Sequence, residues 1–382
     1  MGKGGSSAST GLANTLAQPS DQITKKSLKE CIPAHCFKRS YTHSLAAFGW
    51  DCSVAAFSVW LIHWANVALP VYLLPLAWTV YWWYQGLTFT GLWVLAHECG
   101  HGGFTDSRLV NDIVGFFIHS SLITPYFSWA ITHAKHHHYT NHMTMGETWV
   151  PATANPERAS VKAAKTPFGT AKRIAIIATF GWYAYLFTNA TGAKQNKGQS
   201  HFNPHAKSLF KKKDANYVRA STFGVIAACA AVGYAITVFG FAEVLRTYII
   251  PQMSANCYLA VITFMQHTDV EVPHFNEDEW TWLRGALSTI DRTMGPFADY
   301  KTHYIVPSHV VHHIFSEMPY YGAMEATPYV KAHLGKYYKS KMPEPVLGSE
   351  YLGYWRDFYV AMRQAVTVQP EERDGSTFLW FK

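Results

Sequence analysis

Charge is almost absent from two consecutive windows of this chain. Residues 45–69 hold one formally charged side chain, Asp51, and residues 71–96 hold none. Each window exceeds the roughly 18 apolar residues that mark a membrane-spanning helix. Pro70 and Pro75 turn the chain between them, so the pattern predicts a helical hairpin. A second hairpin is predicted over residues 220–264, where Glu243 and Arg246 are the only formal charges and residues 240–246 serve as the turn. It places His267 just past the end of a membrane helix. Residues 174–190 are barely long enough to cross, and the run that follows carries Lys194, Lys197, Lys207, Lys211, Lys212, Lys213 and Arg219. Basic loops stay cytosolic, so this stretch is expected to lie in the interface. Residues 110–124 include His119 and too few apolar positions to span, which predicts a buried or re-entrant helix.

The predicted fold is therefore all-α: a polytopic membrane protein with about four transmembrane helices in two hairpins and a cytosolic helical cap. Residues 1–44 form a cytosolic tail and interfacial segment containing Lys25, Lys26, Lys29, Lys38 and Arg39. Residues 45–96 are the first hairpin, 97–219 a cytosolic region, 220–264 the second hairpin, and 265–382 a further cytosolic region.

Composition changes this picture little. A mean hydropathy near zero looks soluble, and only the clustering of apolar residues says otherwise. Trp78, Trp82, Trp83, Tyr72, Tyr81 and Tyr84 are candidates for interfacial anchors or channel walls, with plain packing expected for most. The net charge of +7 suits an anionic leaflet and needs no nucleic acid. Six cysteines show no Cys-x-x-Cys pair, and none is assigned to a disulfide or a metal. The first twenty residues, rich in Gly, Ser, Ala and Thr, are expected as a disordered tail rather than a signal or transit peptide.

Chemistry enters with the histidines. Twelve of the twenty fall in residues 97–142 and 303–313, spelled most densely HECGH, HAKHH and HVVHH. On a helix, positions three and four apart share a face. His97 and His101 form one such pair, His133 faces His136 and His137, and His309 faces His312 and His313. One such pair alone is as readily a surface or core pair as a metal site, but three clusters in one chain are not. Eight imidazoles exceed the four or so ligands of a single zinc, so two metal ions are the economical reading. Imidazole suits zinc, copper, iron and nickel alike. HECGH also spells the His-Glu-x-x-His of zinc proteases, yet that reading leaves the clusters at 133 and 309 unused and puts helix-weakening Gly100 in the motif. A metal transporter would want polar groups inside its spans, where the first hairpin offers only Asp51 and His63.

These boxes and the motifs between them resemble the membrane fatty acid desaturases, in particular their microsomal delta-12 (oleoyl) branch. The resemblance runs in order through Ile32-Pro33-Ala34-His35-Cys36-Phe37, HECGH, Val114-Gly115, Pro125-Tyr126-Phe127-Ser128-Trp129, HAKHH and His201-Phe202-Asn203-Pro204. It continues through Gln266-His267-Thr268, Glu279-Trp280-Thr281-Trp282-Leu283-Arg284-Gly285-Ala286, HVVHH with Ile314-Phe315-Ser316, and Ala323-Met324-Glu325-Ala326-Thr327. It implies an oxygen-dependent enzyme with two iron ions, held by His97, His101, His133, His136, His137, His309, His312 and His313, with His267 as a ninth ligand. The implied reaction introduces a cis double bond at the delta-12 position of oleoyl chains to give linoleoyl chains. An omega-3 (delta-15) desaturase, an acetylenase or a fatty acyl hydroxylase would keep the same ligands. The substrate implied is a fatty acyl lipid, acyl-phosphatidylcholine above all, in the endoplasmic reticulum membrane with the boxes facing the cytosol. No His-Pro-Gly-Gly haem motif is present, so the resemblance implies a separate electron donor, cytochrome b5, for which the basic loops offer a surface.

Further expectations attach to single residues. His138 and His142 extend the second cluster, and Glu98, Asp106, Asp112 and Asp299 are candidates to orient imidazoles through their second nitrogen. Trp78, Phe89, Trp93, Phe117, Tyr126 and Trp129 are candidate walls of an acyl channel. Gly102-Gly103 and Gly322 depart from the family's usual residues and are expected to widen the acyl pocket or alter the ligands' surroundings. The last five residues, Phe378-Leu379-Trp380-Phe381-Lys382, resemble an aromatic retrieval tail.

Overall fold

A computed structural model of the chain describes residues 23–373 and 376–382; the expected disordered tail lies outside the described residues. The chain is mostly helical. A short helix α1 (Lys25–Glu30) is capped by Thr24 and precedes α2 (Tyr41–Ala68), whose first turn is closed by Ser40 accepting from the His43 amide. Pro70 ends α2, and Pro75 starts α3 (Leu74–His101) at a position where its missing N–H costs nothing. The outer part of this hairpin is held by Ile62 and Ala65 against Trp78 and Tyr81. Trp50, Phe57, Trp60, Trp64 and Val67 of α2 face outward, an apolar surface that suits lipid. From Gln85 to Cys99, by contrast, α3 is buried almost without interruption.

Next come α4 (Arg108–Ser121) and α5 (Tyr126–His138), then α6 (Pro167–Ile176), a π-helical turn at Ile177–Gly181, and α7 (Trp182–Thr188). The helix α8 (Ala215–Phe239) leads to α9 (Ile250–His267), and the short α10 (His309–Ile314) is followed by α11 (Tyr320–Leu334) and α12 (Glu350–Gln364). The central contact of the molecule is α3 against α9, with α2 and α4 also on α3 and the π turn on α9. One hydrophobic core runs from Leu92 and Trp93 through Trp182 and Tyr258 to Phe358 and Met362.

Among the described residues, two helices are long and apolar enough to cross a membrane, Tyr41–Ala68 and Lys212–Phe239. Of the other two expected spans, α3 has the length but is diluted by tryptophan, tyrosine, threonine and histidine. α9 carries Pro251, Gln252, Asn256 and Gln266 as buried residues. The second hairpin also differs from expectation. Its turn is Gly240 alone, at φ 86°, and the chain is helical again from Phe241. Its arms splay, because α8 packs on α4 and α5 while α9 packs on α3. The anchor for α8 is Ser221, whose hydroxyl accepts from the Phe127 and Ser128 amides and so caps α5.

The fold is mostly helical, consistent with the all-α expectation, and carries a small sheet. The sheet joins β1 (Ala152–Thr153) in parallel to β2 (Thr367–Arg373), which pairs antiparallel with β3 (Ser376–Phe381). Phe378, Leu379, Trp380 and Phe381 are buried there, so the aromatic end of the chain is a structural strand rather than a free tail. The helix expected over residues 110–124 is half-buried: Leu109, Ile113 and Phe117 face outward while Asn111, Ile118 and His119 face the core. All six cysteines are free of disulfides.

Candidate metal centre

Four helices aim imidazoles at one place. α3 ends on His97 and His101, α5 ends on His133, His136 and His137, His267 is the last residue of α9, and α10 supplies His309, His312 and His313. Ligand nitrogens of His97, His101, His133, His137 and His312 all lie within 4.8 Å of one another, and those of His136, His267 and His313 form a second such group. His309 joins the second group, its Nε2 3.0 Å from that of His267. The two groups touch where the His137 and His313 rings stack, centroids 4.1 Å apart. Thus the structure brings together every histidine that the boxes and the resemblance single out.

Burial dominates the electrostatics. The imidazoles of His133, His137, His309, His312 and His313 are pushed well below their ordinary pKa, first by desolvation and then by one another, and His136 is lowered to about 3. They are neutral at physiological pH, the form in which imidazole ligates a metal. The nitrogens also fit cations better than protons. Nε2 of His136 faces Nε2 of His267 at 3.1 Å, and Nε2 of His133 faces that of His137 at 3.1 Å. The Nε2 atoms of His101, His312 and His313 are buried without any hydrogen-bond partner. Buried polar atoms seldom go unpaired, and converging lone pairs are satisfied by a shared metal ion.

Of the four candidate orienting carboxylates, only Glu98 reaches this centre. It is buried, with Oε1 3.5 Å from His97 Nδ1 and 4.0 Å from His312 Nδ1. Asp106 pairs with Arg39, Asp112 with Arg108, and Asp299 accepts from the Met294 amide. His138 and His142 do not join the cluster: His138 is exposed beside Trp280, and His142 accepts from the Thr144 amide. His303 binds Asp51 instead, at 2.7 Å. Residues that the sequence did not single out hold the ligands in place. Thr140 Oγ1 lies 3.2 Å from His313 Nδ1, leaving Nε2 for a metal. Asp291 accepts from the Val310 amide at 2.8 Å and from the Tyr338 hydroxyl, which fixes the start of α10; burial raises its carboxyl to about 7. Glu147, buried, takes Lys135 of α5 at 2.9 Å and Asn189 at 3.2 Å. None of these follows a local spacing rule, so only the tertiary fold reveals them.

A small apolar cavity of about 60 Å³ reaches the cluster. Trp93, Val94, Trp129, Trp182, Leu259 and Ile262 wall it, and His97, His133, His136, His267 and His309 close one part of it. Trp149 also lines it from a left-handed backbone, φ 54°, held by its indole N–H donating to Thr263 at 3.0 Å. Among the expected walls, Trp93 and Trp129 are present; Trp78 packs inside the first hairpin, Phe117 faces outward, and Tyr126 and Phe89 pack elsewhere.

A model of the fatty acid desaturase family matches residues 76–344. The chain belongs to the fatty acid desaturase family. This desaturase is 39% identical over 379 residues to the Delta(12) fatty acid desaturase of Mortierella alpina, with 92% of each chain covered. It is 40% identical over 359 residues to the Delta(12) fatty acid desaturase of Mortierella isabellina, covering 88% of this chain and 87% of the relative. A third relative is the Brassica juncea protein named Omega-6 fatty acid desaturase, endoplasmic reticulum, 37% identical over 318 residues, covering 83% and 82%. The glycine departures of this desaturase do not widen the cavity. Gly102, at φ 77°, terminates α3, and Gly322 backs directly onto the Cys36 carbonyl; neither lines the cavity. Gly103 alone meets the centre, since a Cβ there would stand 3.0 Å from Glu98 Oε2. The protease alternative is also weakened, because His312 stands among the same nitrogens as His97 and His101 instead of being spare.

Proposed function

We propose that this chain is an acyl-lipid delta-12 desaturase of the endoplasmic reticulum membrane, converting oleoyl to linoleoyl chains with O2 and two electrons. The observation that carries the reading is a small apolar cavity lined by tryptophans and ending on a wall of neutral, converging imidazoles. The names of its relatives point to the same bond position. Two irons would be held by His97, His101, His133, His137 and His312 on one side and His136, His267, His309 and His313 on the other. When bound, the irons would, with O2, two electrons and two protons, supply the oxidising power that removes one hydrogen from each of two adjacent methylenes, yielding an alkene and two waters.

The protein's own part is positioning and exclusion of water, since the cofactor carries the hard chemistry. Trp93, Trp129 and Trp182 would hold an extended chain against the histidines, and Trp149 would limit where it bends. Glu98 would steady His97 and His312, while Thr140 keeps the proton of His313 on Nδ1. In this reading α2, α3, α8 and α9 span the bilayer as two hairpins separated by the segments 1–44, 97–219 and 265–382, with the boxes on the cytosolic side. The substrate would be acyl-phosphatidylcholine. Cytochrome b5 would deliver electrons to the basic face at Lys207, Lys212, Lys213 and Arg219, where opposite charge speeds encounter.

The test is gas chromatography of total fatty acids from yeast lacking linoleate, with and without this chain. A new 18:2 acid with double bonds at carbons 9 and 12 is expected. A double bond at carbon 15 of supplied linoleate, or a hydroxylated product, would replace the delta-12 assignment. No new product with the protein present in membranes would overturn desaturation.

A further inference from the structure

Outside the nine histidines, one other group of metal-ligating atoms converges among the described residues. The 3₁₀ turn Ala34–Phe37 carries His35 and Cys36 to Glu325 of α11, and a ring nitrogen, the sulfur and a carboxylate oxygen all lie within 4.8 Å of one another. We propose that these three side chains form a separate zinc site, with water as the fourth ligand.

His35 Nε2 and Glu325 Oε1 are 2.6 Å apart and half exposed, and as an ion pair alone they would contribute little. The sulfur makes the difference. Cys36 is buried, its amide donates to Pro33, and its backbone lies directly under Gly322 of the same helix. The thiol is thus fixed beside two solvent-accessible ligands, which leaves an ion an open route. Thiolate, imidazole and carboxylate around one position, with room for water, is a zinc donor set. Binding releases the Cys36 thiol proton to solvent and changes no oxidation state.

The chain before the site runs antiparallel along α11, touching it one helical turn at a time: Ser27 at His333, 3.4 Å; Cys31 at the Tyr329 carbonyl, 3.9 Å; His35 at Glu325. The first two contacts are weak by distance. Zinc would add a metal link between the N-terminal strap and the helix that follows the third histidine box, beside the apolar cluster in which Leu28 and Ile32 lie with Ala326, Val330 and Leu334.

Full-length protein purified in detergent, loaded with Zn²⁺ and desalted, tests this by metal analysis of four forms. Wild type and His312→Ala retain the zinc, whereas Cys36→Ser and Glu325→Gln lose it while keeping wild-type iron. The loss of affinity exceeds the roughly 10–100-fold that removing a mere supporting partner costs. With Co²⁺ in place of zinc, wild type develops a thiolate-to-metal charge-transfer absorption that Cys36→Ser lacks, a signal that all-imidazole sites cannot give. Zinc retained equally by both variants, or no thiolate signal in wild type, overturns the proposal. Glu325→Gln, a conservative change at an exposed position, keeps the test valid if Cys36→Ser fails to fold. Iron content reads the histidine centre independently.

Discussion

His97 and His312 come from different helices, yet their ring centroids stand 4.6 Å apart with Glu98 facing both. His312→Ala should therefore be as damaging as His97→Ala, each abolishing linoleate formation and lowering bound iron. Glu98→Gln should keep its iron more nearly and lose activity by roughly 10–100-fold, as expected for a group acting through a ligand. Total loss in Glu98→Gln with a dispensable His312 would instead fit the protease spelling. Gly322→Ala forces a methyl group into the Cys36 carbonyl, and overpacking of this kind costs about 1–3 kcal/mol. Its melting temperature in detergent should fall with little change in product position. The convergence of the eight box histidines was legible in the sequence because spacings of three and four are local to a helix, whereas His267 was singled out by the resemblance alone. Thr140 and Asp291 were not, since each meets its partner through the fold; nothing in the neighbourhood of Asp291 marks it as the acceptor for the Val310 amide.

Among the elements, the hairpins were legible as far as their apolar faces were. Residues 45–69 read as a span and became α2, whose outer face is bare. The splay of α8 from α9 was not legible, because it depends on Ser221 capping a helix far back in the chain. The strand at Phe378–Phe381 was equally hidden: a short apolar run does not declare its partner, and here the partner is β2. The π turn Ile177–Gly181 puts Gly181 on the cavity wall, where a Cβ on it would meet that of Ala260 at 3.7 Å. π-helical turns recur at functional sites. Ala260→Phe is predicted to fill this narrow stretch, cutting conversion of 18-carbon chains more than that of 16-carbon chains while leaving iron content unchanged. Fatty acid profiles of cells supplied with both lengths check it, and an equal loss for both would show that Ala260 acts on stability alone.

For the whole molecule, burying so many neutral imidazoles ties stability to pH. In metal-free protein the folded imidazoles at His133, His136, His137, His309, His312 and His313 resist protonation, His136 down to about 3. The unfolded chain takes up those protons near pH 6.5. Below that value the unfolded state binds more protons, so stability falls as pH drops and levels off above it. Melting in detergent after iron removal should accordingly occur at a lower temperature at about pH 5 than at about pH 7.5. Iron should raise it again by binding only the folded state. The most direct measurement of the central claim is the iron content of the purified, full-length protein beside that of His97→Ala and His313→Ala, one variant from each group. The account predicts two irons per chain in the wild type and a loss in both variants. A single zinc in place of iron, held without any need for His313, would contradict it.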